Sequence, residues 1–296
     1  MPQRRGRDRD ERQGQLMPRC FLFVPATDSK RLARAHERGA GAIILDLEDT
    51  VPPDAKDAAR ACVGAAAAGL TAAGARVWVR INGAGFGAAE DLAALAGGAI
   101  EGVVAPKIAC ADDALAVAQL LREAERAAGV DPGRTQLIAL IESARGVLDA
   151  PAIAATPDVS ALAFGSEDFA ADIGAAADEE ALDLPVRQLV LAAAAARKRA
   201  YAAPVSIAEY RDLDRYRAGL RKARRIGAAG VFCIHPAQVE VANDVFRPSA
   251  AELERARAVL AAWEEALHQG KAVTALNGLM IDAPVAARAR SLLGEA

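Results

Sequence analysis

Residues 136–168 read QLIALIESARGVLDAPAIAATPDVSALAFGSED, and the order of features within them decides the fold. An apolar run, Gln136–Ile141, ends in Glu142-Ser143. An alanine-rich stretch of helical spacing, Ala144–Ala154, follows it. A second apolar run, Ala161–Phe164, then ends in Gly165-Ser166-Glu167-Asp168. Short runs that are apolar at nearly every residue, joined by a helix, read as parallel strands buried on both faces.

The same alternation extends in both directions. Further strands are expected over Cys20–Val24, Ala42–Leu47, Val77–Ile81, Gly102–Ala105, Ala203–Ser206 and Val231–Ile234. Helices are expected over Ser29–Arg38, Ala55–Ala67, Ala88–Leu95, Ala111–Ala128, Leu184–Arg199, Asp212–Ile226 and Ala237–Val245. Eight strand–helix units without an intervening linker predict an α/β protein, a (β/α)8 TIM barrel. A doubly wound sheet would carry a glycine-rich phosphate loop after its first strand, whereas Val24 is followed by Pro-Ala-Thr-Asp28, so a Rossmann dinucleotide site is not expected.

The 296 residues exceed a barrel's needs. Residues 1–18 mix both charge signs with few apolar groups and no secretory apolar core, and are expected to be a flexible extension. Residues 19–247 form the barrel. Residues 248–296 form a C-terminal helical arm, with a helix from Ala250 to His268 opened by Arg247-Pro-Ser249, a loop from Gly270 to Ile281, and a last helix from Ala283.

Composition excludes several roles. The net charge of -3 is not that of a nucleic-acid binder. Cys20, Cys62, Cys110 and Cys233 are scattered, which fits free thiols in a reducing cytoplasm better than a zinc site or a disulfide framework. The longest apolar segment, Leu189–Ala196, is closed by Arg197-Lys198-Arg199 and is too short to span a membrane. Arginine far outnumbers lysine and alanine is abundant, so a single arginine is weak evidence of function unless its position is special.

Barrel enzymes carry their chemistry at the C-terminal ends of the strands. Those ends hold Asp46-Leu47-Glu48-Asp49, Arg80-Ile81-Asn82, Pro106-Lys107, Glu142, Asp168 and His235-Pro236. Glu142 and Asp168 end adjacent strands, about 5 Å apart at equal height, a separation at which two carboxylates share a divalent cation. Hard oxygen donors, few in number, suit magnesium, with manganese as an alternative ion. The competing reading of each carboxylate is a helix cap. Arg80, if it faces the mouth, needs an anion, either the Asp46–Asp49 cluster or a substrate oxyanion, and a purely structural ion pair is the alternative. Glu48 and Asp49 read as groups that orient Arg80 or metal-bound water. Lys107 pairs a carboxylate in preference to forming a Schiff base. His235 reads as structural.

The ordered stretches Phe21-Leu-Phe-Val-Pro25, Ile44-Leu-Asp-Leu-Glu-Asp49 with Lys56 and Arg60, Val79-Arg-Ile-Asn82, Pro106-Lys107, Leu140-Ile-Glu142 with Ala144-Arg-Gly146, Phe164-Gly-Ser-Glu-Asp168 and Ile234-His-Pro-Ala-Gln238 resemble the citrate lyase β-subunit-like family of the HpcH/HpaI aldolase superfamily. The resemblance implies magnesium on Glu142 and Asp168, and Arg80 on the substrate's enolate oxygen. Glu48 and Asp49 join it as catalytic groups, and Asn82, Lys107, Glu142 and Arg80 as substrate-binding ones. Leu276-Asn-Gly-Leu-Met-Ile-Asp282 is similar to the lid of the family's malyl-CoA and citramalyl-CoA lyases. That likeness implies that Asp282 reaches a neighbouring subunit as an acid/base group, in an oligomer expected to be a trimer. One departure is Gly230-Val-Phe-Cys-Ile234, where the family commonly carries a Gly-Lys pair.

The expected reaction is magnesium-dependent cleavage, or Claisen-type formation, of a short 3-hydroxyacyl-CoA, with pyruvate or glyoxylate as the α-keto acid. Within enzymes the alternatives are a citryl-thioester lyase subunit acting on an acyl-carrier protein, a malyl-CoA thioesterase and a CoA-independent pyruvate aldolase. Outside enzymes the alternative is a barrel kept as a binding scaffold.

Overall fold

The computed structural model describes residues 17–294. The flexible extension expected at the N-terminus lies outside them, apart from Met17 and Pro18. Contacts divide the chain into two compact units, one formed by Pro18–Phe246 and the other containing the residues from Arg247 onward.

The first unit is the (β/α)8 barrel. Its strands are β1 (Cys20–Pro25), β2 (Ala42–Asp46), β3 (Val77–Arg80), β4 (Gly102–Ala105), β5 (Gln136–Ile141), β6 (Val159–Phe164), β7 (Arg199–Tyr201) and β8 (Val231–Cys233). All neighbouring pairs are parallel, in the order β7-β6-β5-β4-β3-β2-β1-β8. A parallel bridge between Tyr201 and Gly230 joins the two ends of that order.

Each strand is apolar on both faces because each face meets a different core. Leu22, Ile43, Leu45, Val77, Val79, Val103 and Leu137 pack outward with the helices in one large cluster. Inside the barrel, Phe21 meets Trp78 edge-on at 5.6 Å, Tyr201 at 5.0 Å and Phe232 at 5.1 Å. The neighbours of β1 are β2 and β8, so the contacts to β3 and β7 cross the lumen and plug it below the strand ends. Aromatic residues are only 4% of the chain, yet those in this layer are placed where large flat groups fill the taper. Gly102, opposite Trp78 in register, makes room for the ring: a Cβ there would lie 2.3 Å from it. Gly102→Ala is therefore expected to lower stability by about 1–3 kcal/mol, the usual cost of overpacking, as a drop in thermal midpoint; an unchanged midpoint would mean that the layer is loosely packed.

Two expectations are corrected. The seventh strand is Arg199–Tyr201, not Ala203–Ser206. The preceding helix, Glu179–Ala195, stops before the charged triplet, where Arg197 adopts a left-handed backbone with φ 56°. The charges at 197–199 hid a strand whose inward residue is Tyr201. In the second unit, Gly270 to Ile281 is not simply a loop. Strands β9 (Thr274–Leu276) and β10 (Leu279–Ile281) pair antiparallel about Asn277-Gly278, both at positive φ. Asn-Gly between alternating apolar residues is a strong hairpin signal, since both residues tolerate the left-handed conformation that a tight turn needs.

That unit also contains the expected helix Ala250–His268, opened by a capping box between Ser249 and Glu252, and a helix over Ala283–Gly294. Trp263, Ile281 and Ala286 form its small core. No helix among the described residues is long and apolar enough to cross a membrane.

Candidate active site

The register of β2 against β3 places Asp46 directly opposite Arg80. Arg80 uses one edge of its guanidinium on Asp46, with Nε donating to Oδ1 and Nη2 to Oδ2, both at 2.7 Å. Its remaining end, Nη1, donates to Asp49 Oδ2 at 3.1 Å and lies 2.8 Å from Glu48 Oε2. The Phe23 ring supports the guanidinium from 4.9 Å. Burial alone would loosen the Arg80 proton, but the hydrogen bonds and charge of Asp46, with Glu48 and Asp49, hold it more tightly than usual. Burial likewise raises the pKa of Asp46, and the hydrogen bonds and charge of Arg80 outweigh it and bring that carboxyl below its ordinary range.

Glu48 differs from Asp46. Burial pushes its pKa up, against the opposing pull of Arg80 and Lys107. Its Oε1 accepts from Lys107 Nζ at 2.6 Å. Its Oε2 is buried and receives no oriented hydrogen bond: the contact to Nη1 is close in distance but lacks hydrogen-bond geometry. That oxygen is covered and compensated by the Arg80 charge, in an ionic contact rather than a directed hydrogen bond.

Lys107 sits at φ 56°, an uncommon conformation outside glycine. Its backbone N–H donates to Glu142 Oε2 at 2.8 Å while its side chain reaches Glu48. That hydrogen bond raises the ammonium's pKa, the reverse of what a Schiff-base lysine needs.

Glu142 follows β5, and Asp168 lies in the first turn of the helix after β6, the strand paired with β5. Glu142 is buried, and its pKa is pushed up to about 8, first by burial and then by the charges of Glu48 and Asp168, against the Lys107 N–H and Arg80. Its other oxygen, Oε1, is pressed against Gly165, where a Cβ would come within 2.6 Å. Among the described residues no cluster of three or more His, Cys, Asp or Glu forms a metal cage. Two carboxylates, one buried and repelled by its neighbours, fit magnesium, which keeps most of its coordination sphere for water and substrate oxygens.

Behind this front lies a network that the spacing of residues did not single out. Asn82, expected to bind substrate, has its amide committed: Nδ2 donates to Asp91 Oδ2 at 2.7 Å and Leu47 O at 3.1 Å, and Oδ1 accepts from Lys56 Nζ at 2.7 Å. Asp91, fully buried, also accepts from Asn82 N at 2.7 Å and Arg60 Nε at 2.6 Å. Asp91 lies in the first turn of the helix Ala88–Leu95, and an acidic residue at that position gives no hint of this role. The Glu48–Lys107 pair and Lys56 line one side of a cavity of about 580 Å³, with Pro53, Phe86 and Ile108 as apolar walls.

His235 accepts from Ala237 N through Nδ1 at 3.2 Å and stacks on Tyr210, a structural arrangement. In the C-terminal unit, Asp282 caps its helix, accepting from Val285 N at 3.1 Å. Leu279 and Met280 of the hairpin are exposed.

The family model described as HpcH/HpaI aldolase/citrate lyase matches residues 19–236. The chain is 33% identical over 279 residues to a citrate lyase subunit beta-like protein of Deinococcus radiodurans, covering 93% of this chain and 96% of that one. It is 33% identical over 289 residues to the L-malyl-CoA/beta-methylmalyl-CoA lyase of Cereibacter sphaeroides, covering 89% and 90%. Among solved structures it resembles CitE of Mycobacterium tuberculosis in complex with magnesium, acetoacetate and coenzyme A, with a TM-score of 0.75 and 30% identity over 96% of this chain and 99% of that one.

Proposed function

The chain belongs to the HpcH/HpaI aldolase/citrate lyase family and is a lyase, and from that premise we propose that it cleaves a short 3-hydroxyacyl-CoA of the malyl or citramalyl type into an acyl-CoA and an α-keto acid. Glu142 carries the reading: a buried carboxylate facing two others is poorly placed to ionise until a cation joins it. Glu142 and Asp168 would hold magnesium, which when bound supplies Lewis-acid polarisation of the keto acid's oxygens.

The chain's own groups supply the rest. Glu48, whose Oε2 meets Arg80 through an ion pair without a directed hydrogen bond and whose pKa is raised, takes the proton of the substrate hydroxyl. The C–C bond then breaks, and its electron pair passes to the thioester enolate. Arg80 receives the developing oxyanion at Nη1, because Asp46 already fixes the opposite edge and holds the guanidinium's plane. Asp49, half-exposed, is the partner that Nη1 gives up. Lys107 holds Glu48 and Glu142 at a fixed separation. Asn82 acts by positioning, not by contact with substrate. Asp282 protonates the enolate carbon from the arm of an adjacent subunit, which requires an oligomer; a trimer is the assembly proposed. The exposed apolar hairpin beside Asp282 supports that placement.

A panel of hydroxyacyl-CoA thioesters, with keto-acid and free-CoA release followed together, tests the activity. Magnesium-dependent pyruvate or glyoxylate release without free CoA is expected; free CoA would mark a thioesterase, and no product a scaffold. For the lid, Asp282→Asn is the informative change, since asparagine caps a helix as well as aspartate does but cannot transfer the proton. Turnover should fall at least about a hundredfold at an unchanged melting point. Normal turnover would remove Asp282 from the mechanism.

A further inference from the structure

We infer that Lys56 is a positioning residue for the catalytic carboxylate, acting through the backbone of Glu48. Its ammonium has three donors, and three acceptors surround it: Leu47 O at 2.7 Å, Glu48 O at 2.6 Å and Asn82 Oδ1 at 2.7 Å. All three belong to the segments that leave β2 and β3, so one charge ties together the two strand ends that carry Glu48 and Arg80. Leu47 O also accepts from Asn82 Nδ2 and Glu48 O from Val51 N, each at 3.1 Å, so Lys56 adds a shorter, charged bond to two carbonyls outside any helix or strand.

The clamp is itself held from behind. Asn82 can turn Oδ1 to Lys56 because Asp91 takes its Nδ2 and its backbone N–H. Asp91 is fixed in turn by Arg60 Nε. Lys56 and Arg60 stand one turn apart in the helix Lys56–Ala72 and so reach the same side. The chain of contacts runs Arg60, Asp91, Asn82, Lys56 and the Leu47–Glu48 backbone, and ends at a carboxylate whose Oε2 has no oriented donor. Lys107 Nζ and Arg80 Nη1 hold the two carboxylate oxygens from above at 2.6 and 2.8 Å, and the backbone that Lys56 clamps sets where the side chain starts. Lys56 has no hydrogen bond or ion pair to Glu142, Asp168 or Arg80, so its influence on the reaction passes through Glu48.

This inference rests on the assignment of Glu48 as the base, and its test separates the two. Lys56→Met is expected to lower kcat about a hundredfold, the scale of a misplacement near 1 Å, with KM and the magnesium half-saturation changed less than about twofold. Glu48→Gln should lower kcat as well. Because Lys56 works through Glu48, the double variant should be no slower than Glu48→Gln alone. Additive losses would overturn the inference, and so would a raised KM at unchanged kcat, which would make Lys56 a substrate contact. Lys56→Gln, which keeps two of the three donors without the charge, serves if methionine is not tolerated. If Glu48→Gln turns over normally, the base assignment fails, and the crystal structure of Lys56→Met decides the inference by itself: a displaced Leu47–Glu48 backbone sustains it, and an unmoved one refutes it.

Discussion

Arg80→Met is expected to abolish measurable turnover and to lower stability by roughly 3–5 kcal/mol, the cost of stranding a buried ionic partner. Asp46 is fully buried and draws two hydrogen bonds from Arg80, and Glu48 is buried beside it. Methionine fills much of the arginine's volume, so the loss reports charge more than cavity. The pH dependence follows from Asp46, whose folded pKa lies below its unfolded value. Such a group contributes stability above the unfolded pKa and loses it as pH falls through the folded one. The gap in melting point between wild type and variant should therefore be widest near neutrality and narrow in acid, where Asp46 is protonated in both. Arg80→Lys should recover part of the stability and little of the turnover, since an ammonium cannot grip Asp46 at two points and still present a second face. An Arg80→Met protein that melts with the wild type at pH 7 would mean that the carboxylates find other partners.

The barrel was legible because its strands are apolar on two faces, a pattern that survives even when alanine replaces larger residues. Where the pattern broke, reading broke with it. Tyr201 fills the lumen from a three-residue strand that begins with Arg199, and a run of basic residues gives no strand signal. The hairpin about Asn277-Gly278 did carry its signal, in a dipeptide that the likeness to a lid overshadowed. At the site, position on a strand end was enough to gather Asp46, Glu48, Arg80, Lys107 and Glu142, since strand ends converge by construction. It was not enough to tell a group that faces the cavity from one that holds another group in place. Asn82 and Asp91 show that role only through the hydrogen-bond partners around them, which depend on the approach of the helices Lys56–Ala72 and Ala88–Leu95 to β3. Helix approach of that kind is tertiary and leaves no mark in local spacing.

Glu142→Gln separates the two consequences of a buried carboxylate, one for chemistry and one for stability. Glutamine keeps the shape and can still accept from Lys107 N, but it removes the charge a divalent cation needs. Turnover should fall roughly a thousandfold or more, matching the several kcal/mol that Lewis-acid stabilisation contributes, and added magnesium should no longer raise the melting point. The stability effect has the opposite sign. In the metal-free wild type the folded Glu142 keeps its proton up to about pH 8, against an ordinary value of 4.5. The raised folded pKa makes its contribution fully present below about 4.5 and lost progressively as pH rises to about 8. Metal-free wild type should thus soften across that interval, and magnesium should restore it by pairing the carboxylate. Glu142→Gln carries no such proton, so its melting curve should depend less on pH, and near pH 8 it should melt at or above the metal-free wild type. Gly165→Ala provides the geometric counterpart: its Cβ would press Glu142 Oε1 from 2.6 Å and weaken magnesium binding without altering a charge. If Glu142→Gln still answers to magnesium in both turnover and melting, the cation sits elsewhere in the barrel mouth and Glu142 owes its burial to packing alone.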